Sequence, residues 1–324
     1  MASPLENYLE GFEHGLEAWP DKSLESDESL HWWRDLLAKS APDEWFFQLQ
    51  QHLPQLLLPQ TAGVSQSSSY SSAVLRGEPI KPDQLSSNPP WERLQALELS
   101  IAEHPCGDMP VLRTTSSADF HRLVRALAYR CEPVTLSDGV HAQAIVGLIH
   151  WGLIRRFGSK ARAKLILLHE SPYGSVPAHL LPWDFSESEW CRRSGVLRLE
   201  HELTHLATKR VIGQMRINLL DELIADAMGM LKATGEYSAE VFARCLGVDP
   251  IDGPTPNGRW TSYVAELSAE DAQLVLSLAM ERAKELENII KDLGPNAMQK
   301  PMILLSWLCQ QQLNKPIKMP NFLV

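Results

Sequence analysis

Apolar residues recur along the chain with two different periods, and the changes between them mark out helices and short strands. In the first sixty residues Trp32, Trp33, Leu36, Leu37, Trp45, Phe46 and Leu49 fall near helical spacing until HLPQLLLPQ breaks the pattern at Pro54 and Pro59. Residues 1–60 therefore read as a helical segment packed on a main body. From Thr61 to Pro90 the text is rich in Ser, Pro and Gly and carries no apolar period, which predicts a linker or loop over 61–90. Helices are predicted from Trp91 to about Glu103 and from Ser117 through Leu127, the second opened by hydroxyl caps. CEPVTLSDGVHAQAIVGLIHW mixes turn and β-branched residues and reads as short strand and loop. AKLILLHE, residues 163–170, is a short apolar run closed by SPYGSVP, and its length favours a buried or edge strand.

Helical patterns dominate the remainder. Ser186 followed by Glu189 is a capping-box signature, and the run from there reaches Gly213 without a proline. NLLDELIADAMGMLKATG supplies the next helix. Ser268 with Asp271 starts another that Gly294-Pro295 stops, and KPMILLSWLCQQQL supplies the last. No internal repeat and no long heptad pattern is present. The fold class expected is α+β, mainly helical, with a small sheet, and residues 91–324 are expected to form one domain.

Composition narrows the function classes. Apolar residues make up 44% and charged residues 22% of 324, the mixture of a globular protein with a sizeable core. Thirty Lys+Arg against forty Asp+Glu give a formal charge of −10, so the basic footprint that nucleic acid requires is missing. Acidic residues at 6, 10 and 13 stand where an export signal carries basic ones, and no apolar stretch is long enough to span a bilayer. The expectation is a cytoplasmic protein with no membrane and no nucleic-acid partner. Its five cysteines are widely separated, never CxxC, and are expected to be reduced thiols.

The chemistry is concentrated in RLEHELTHLATKR, residues 198–210. On a helix, positions four apart share a face, so His201 and His205 can offer two imidazole nitrogens to one metal ion. Glu202 is rotated from His201 by about 100°, which sets its carboxylate beside the metal, where a base can take a proton from metal-activated water. A catalytic zinc usually takes three protein ligands. The next helix carries Asp221, Glu222 and Asp226, the last two on one face. Glu222 can reach the metal, and Asp226 can hold a ligating histidine through its other ring nitrogen. Asp221 reads as an ordinary charge favoured at a helix N-terminus.

HELTH followed by Glu222-Leu223-Ile224-Ala225-Asp226 resembles the gluzincin metallopeptidases, with HExxH on one helix and ExxxD on the next. The resemblance implies a zincin-like core around an HExxH active-site helix. It also implies His201, His205 and Glu222 as zinc ligands, Glu202 as general base and Asp226 as the residue orienting a ligand. The stretch from Arg198 to Gly229 also looks like an uncharacterised bacterial family with the same signature, which implies no substrate. The likeness covers about thirty residues of the chain.

Such a hydrolase needs a group that stabilises the oxyanion formed at the substrate carbonyl. The candidates are Tyr173 and Arg216, with His169 and Tyr237 behind them; His141, His150 and His179 read as structural. Two functions follow from the sequence. One is a zinc-dependent metallopeptidase or amide hydrolase acting on a peptide or amide substrate, to which the strand at 163–170 could pair as edge strands do. The other is a catalytically inactive, zincin-like binding or regulatory protein with a structural metal site.

Overall fold

The structure, a computed structural model, describes residues 3–12, 28–41, 44–81, 85, 91–136 and 139–319. The chain divides into two compact units, Leu24–Glu170 and Met1–Ser23 with Ser171–Val324. The mainly helical α+β class is as expected. The division differs from the expected boundary at 61–90, and the expected helical segment 1–60 is shared between the units.

Helix α1 (Pro4–Leu9) belongs to the second unit and opens on Ser3, whose hydroxyl accepts from the Glu6 amide while the Glu6 carboxylate accepts from the Ser3 amide.

The unit Leu24–Glu170 begins with α2 (Ser29–Lys39) and α3 (Trp45–His52), which bury Leu30, Trp33, Leu36, Phe46 and Leu49. The Ser-rich stretch that reads as a linker is largely folded. It forms a single turn α4 (Ser68–Tyr70), running into a π-helical turn over Ser71–Leu75, and buries Tyr70, Ala73 and Val74. Serine caps rather than flexibility explain the composition: the Ser67 hydroxyl accepts from the Tyr70 amide. Of the expected linker, residues 82–84 and 86–90 lie outside the described residues.

Strand β1 (Glu98–Ala102) replaces the helix expected over 91–103. Leu97 and Leu99 are buried while Glu98 and Ser100 are exposed, the period of two that a strand requires. It pairs antiparallel with β2 (Met109–Thr114), and helix α5 (Ser117–Leu127) follows as expected, capped by Ser116. Strand β3 (Ala142–Leu148) leads into α6 (Trp151–Phe157), then β4 (Ala163–His169). The sheet order is β1-β2-β4-β3. Strand β4 is therefore internal, parallel to β2 and antiparallel to β3, and both its hydrogen-bonding edges are occupied. This corrects the expectation that it could pair with an extended substrate. Its apolar run reflects burial on both faces.

The unit that contains the motif is helical. Helix α7 (Glu187–Val211) and α8 (Leu219–Thr234) form its centre, followed by α9 (Ala239–Cys245) and a short hairpin of β5 (Val248–Asp249) and β6 (Gly253–Pro254). Helix α10 (Ala269–Leu293) packs on α8 and α9, and α11 (Pro301–Leu308) packs on α8. Fourteen residues of α8 are buried, because neighbours cover it on several sides. Among the described residues, no helix is long and apolar enough to cross a membrane.

Candidate metal centre

The turn from Ile212 to Asn218 returns α8 antiparallel to α7, so that His201 faces Asp226 and His205 faces Asp221 and Glu222. The helices approach closely one turn further along. A Cβ at Gly229 would lie 2.7 Å from the Leu197 carbonyl oxygen, so glycine is needed there.

His201, His205 and Glu222 converge, with one potential ligand atom from each lying within 4.8 Å of the others. The two Nε2 atoms are 3.0 Å apart. Glu222 Oε1 is 3.4 Å from His205 Nε2, and Oε2 is 3.7 Å from His201 Nε2. The other nitrogen of each ring meets a carboxylate: His201 Nδ1 is 2.7 Å from Asp226 Oδ1, and His205 Nδ1 is 3.2 Å from Asp221 Oδ1. Each carboxylate favours the proton on Nδ1 and leaves the Nε2 lone pair facing inward. Without a metal the two Nε2 atoms share a hydrogen bond across 3.0 Å, and a metal ion would take the place of that proton. Bonds of about 2.0 to 2.2 Å at a tetrahedral centre put ligand atoms roughly 3.3 to 3.6 Å apart, so the two distances to Glu222 lie near that range and the histidine nitrogens would separate by a few tenths of an ångström. The donor set thus fits a zinc-sized ion.

The charges around the cluster favour a cation at its centre, which in the metal-free protein is the proton that His205 carries. Burial works against the charge of Glu222, but the Arg259 guanidinium and the two imidazoles outweigh it and hold the carboxyl well below the usual range. Burial likewise opposes charge on His205, yet Asp221 and Glu222 raise its pKa well above the ordinary imidazole value. Glu202 follows His201 on α7, is half-buried, and makes no hydrogen bond to the described residues, while its charge acts on Arg198.

Tyr173 is adjacent to the cluster but on the other side of His201 from the one expected. The 3₁₀ turn Tyr173–Ser175 holds its phenol 3.0 Å from His201 Nδ1, and the hydroxyl donates to Asp226. It is buried, and burial followed by the Asp226 charge raises its pKa well above the usual phenol value. A group bonded behind the imidazole orients that ring and cannot meet a carbonyl in front of it. Arg216 is also corrected: its guanidinium donates to the Gly11 carbonyl at 2.8 Å and to the Asn7 carbonyl, which fixes the N-terminal segment. Tyr237 is buried, with its pKa raised by burial and then by Asp226. His169 belongs to the other unit, where its Nδ1 lies 3.1 Å from that of His141.

Asp221, which reads from the sequence as a helix-end charge, and Arg259, which the sequence does not mark, complete the centre. Asp221 supports His205 while its other oxygen accepts the Arg216 and Ile217 amides at 3.0 and 3.1 Å. Arg259, on the 3₁₀ turn Arg259–Tyr263, donates through Nη2 to Glu222 and through Nε to the Tyr263 hydroxyl at 2.8 Å. Its side chain is 31% exposed, so it connects the ligand to solvent. Nothing in the spacing of NGRWTSY marks it.

A family model described as "Family of unknown function (DUF7005)" matches residues 3–164 and 159–318, nearly the whole chain. The chain belongs to that family. In this DUF7005 protein the two matched segments meet near the division between the compact units. No curated protein and no solved structure matches it.

Proposed function

We propose that the protein is a zinc-dependent hydrolase of peptide or amide bonds, with a zincin-like core of the gluzincin type around α7 and α8. The observation that carries this reading is the convergence of His201, His205 and Glu222, with a carboxylate near the outer nitrogen of each histidine and with Glu202 the next residue after His201 on α7. His201, His205 and Glu222 would hold the ion. When bound, zinc supplies Lewis-acid polarisation of the carbonyl and acidifies water.

The chain's own residues do the rest. Glu202 takes a proton from the water that adds to the carbonyl carbon, and passes it to the leaving nitrogen as the C–N bond breaks. Arg259 offers N–H donors to the carbonyl oxygen as negative charge builds there. Asp226, Asp221 and Tyr173 keep the two imidazoles in the tautomer and orientation that ligation needs.

The test is metal analysis of the purified protein together with cleavage of a mixed peptide and amide panel before and after chelation. About one zinc per chain, with cleavage lost on chelation and restored by zinc, is expected. Tight zinc binding without cleavage of any panel member supports a regulatory protein with a structural metal site. A chain that takes up no zinc overturns the reading.

A further inference from the structure

Helix α1 buries none of its residues fully, and Leu5, Tyr8 and Leu9 on one face are half-buried. Polar contacts converge on it from one turn. Arg216 forks onto the Asn7 and Gly11 carbonyls, and Asn218 Nδ2 donates to the Tyr8 carbonyl at 3.4 Å. The Tyr8 hydroxyl accepts the Leu219 amide at 2.9 Å. That amide belongs to the first residue of α8 and has no partner within the helix, so Tyr8 caps α8 from another segment. Burial pushes the Tyr8 pKa up to about 12, which keeps the phenol neutral. Beyond α1, Gly11 sits so close to Gln311 that a Cβ would lie 2.8 Å from its carbonyl oxygen, and Phe12 is buried.

The turn thus held is not relaxed. Ile217 has φ of 51°, a left-handed conformation that is costly for a β-branched residue, and its side chain is 60% exposed, so burial does not compensate. The Arg216 and Ile217 amides instead close on Asp221 Oδ2, whose partner oxygen faces His205 Nδ1. Arg216 therefore contacts the N-terminal segment through its side chain and the carboxylate behind His205 through its backbone.

We propose that residues 3–12 form a strap that fixes the 213–219 turn, so that Arg216 and Tyr8 are positioning residues setting Asp221 and, through it, His205. This rests on the metal-centre reading. Neither residue touches the ligand atoms. Their effect passes through the orientation of one imidazole.

The test uses the full chain carrying Arg216→Ala, Arg216→Lys or Tyr8→Phe. Zinc affinity is measured by competition with a chromophoric chelator, the unfolding temperature is measured on the metal-free protein, and hydrogen exchange is followed at the Ile217 and Leu219 amides without metal. Arg216→Ala is expected to weaken zinc binding about 10-fold or more, the range seen when a ligand's outer partner is lost. Its metal-free unfolding temperature should stay near wild type while exchange at Ile217 quickens. Tyr8→Phe should quicken exchange at Leu219. Arg216→Lys, which keeps the charge but not the fork, should recover only part of the affinity. Unchanged zinc affinity in Arg216→Ala overturns the proposal, as does a loss matched by an equal loss of metal-free stability. If wild type binds no zinc while exchange still quickens, the metal reading fails and the clamp on the turn stands.

Discussion

Asp226 is hydrogen-bonded to His201 Nδ1 at 2.7 Å, whereas Asp221 Oδ1 lies 3.2 Å from His205 Nδ1 as a charge partner, out of line for a hydrogen bond. The two pairs lie along the facing surfaces of α7 and α8. Both ligand histidines are therefore oriented from the same helix that supplies Glu222. Asp221→Ala and Asp226→Ala should each weaken zinc retention by about 10 to 100-fold with helical content unchanged. Dialysis against graded chelator, with circular dichroism as control, checks this. Wild-type retention in Asp221→Ala would return that residue to an ordinary helix-end charge.

Arg259 and Tyr173 separate catalysis from orientation. Arg259→Ala should weaken zinc binding, because Glu222 loses its charge partner, and, once zinc-loaded, should lower kcat about 10² to 10³-fold, the loss expected for one donor to a developing oxyanion. Tyr173→Phe leaves Asp226 on His201 and should hold kcat within about tenfold, while unfolding becomes easier by about 1 to 3 kcal/mol because a buried carboxylate loses a donor. Steady-state kinetics on zinc-loaded proteins, with denaturant midpoints, distinguish the two. A large kcat loss in Tyr173→Phe with none in Arg259→Ala would reverse the assignment.

How much was legible in the sequence followed from which contacts are local. The i, i+4 spacings of His201 with His205 and of Glu222 with Asp226 need only a helix, and Ser186 and Asn218 cap the starts of those two helices. Asp221 looked like a helix-end charge because its partners depend on a left-handed Ile217, which no residue type announces. Arg259 reaches Glu222 from a distant loop. Tyr173 was named for the wrong task, since a sequence does not say which imidazole nitrogen a phenol will meet. The same limit applies to the strands. An apolar run such as 163–169 shows that a strand is buried but not whether its edges are free. The Ser-rich stretch hid a folded turn because its buried Tyr70 and Val74 are few among polar neighbours.

His150 sets an acid limit on the other unit. Its Nδ1 caps α6 by accepting the Leu153 amide, and burial, followed by the charge of His52, lowers its pKa from 6.5 to about 3. The folded state therefore resists a proton that the unfolded chain accepts near pH 6.5. Stability is fully present above that value and is lost as pH falls from about 6.5 toward about 3, by up to about 1.4 kcal/mol per unit. His150→Asn, which keeps a capping group, should flatten this slope. Acid titrations of the denaturant midpoint for both proteins measure it, and parallel slopes would assign the acid sensitivity elsewhere.

The central claim is that Glu202 moves the proton at a zinc centre, and Glu202→Gln tests it most directly. The amide nearly matches the carboxylate in size and Glu202 is not among the converging ligands, so zinc content and fold should be kept. Both proteins, zinc-loaded, are compared on a mixed peptide library read by mass spectrometry, with chelated wild type as control. The account predicts cleavage by wild type and a loss of about 10² to 10⁴-fold in Glu202→Gln. Equal cleavage by the two proteins, or none by zinc-loaded wild type, would contradict it.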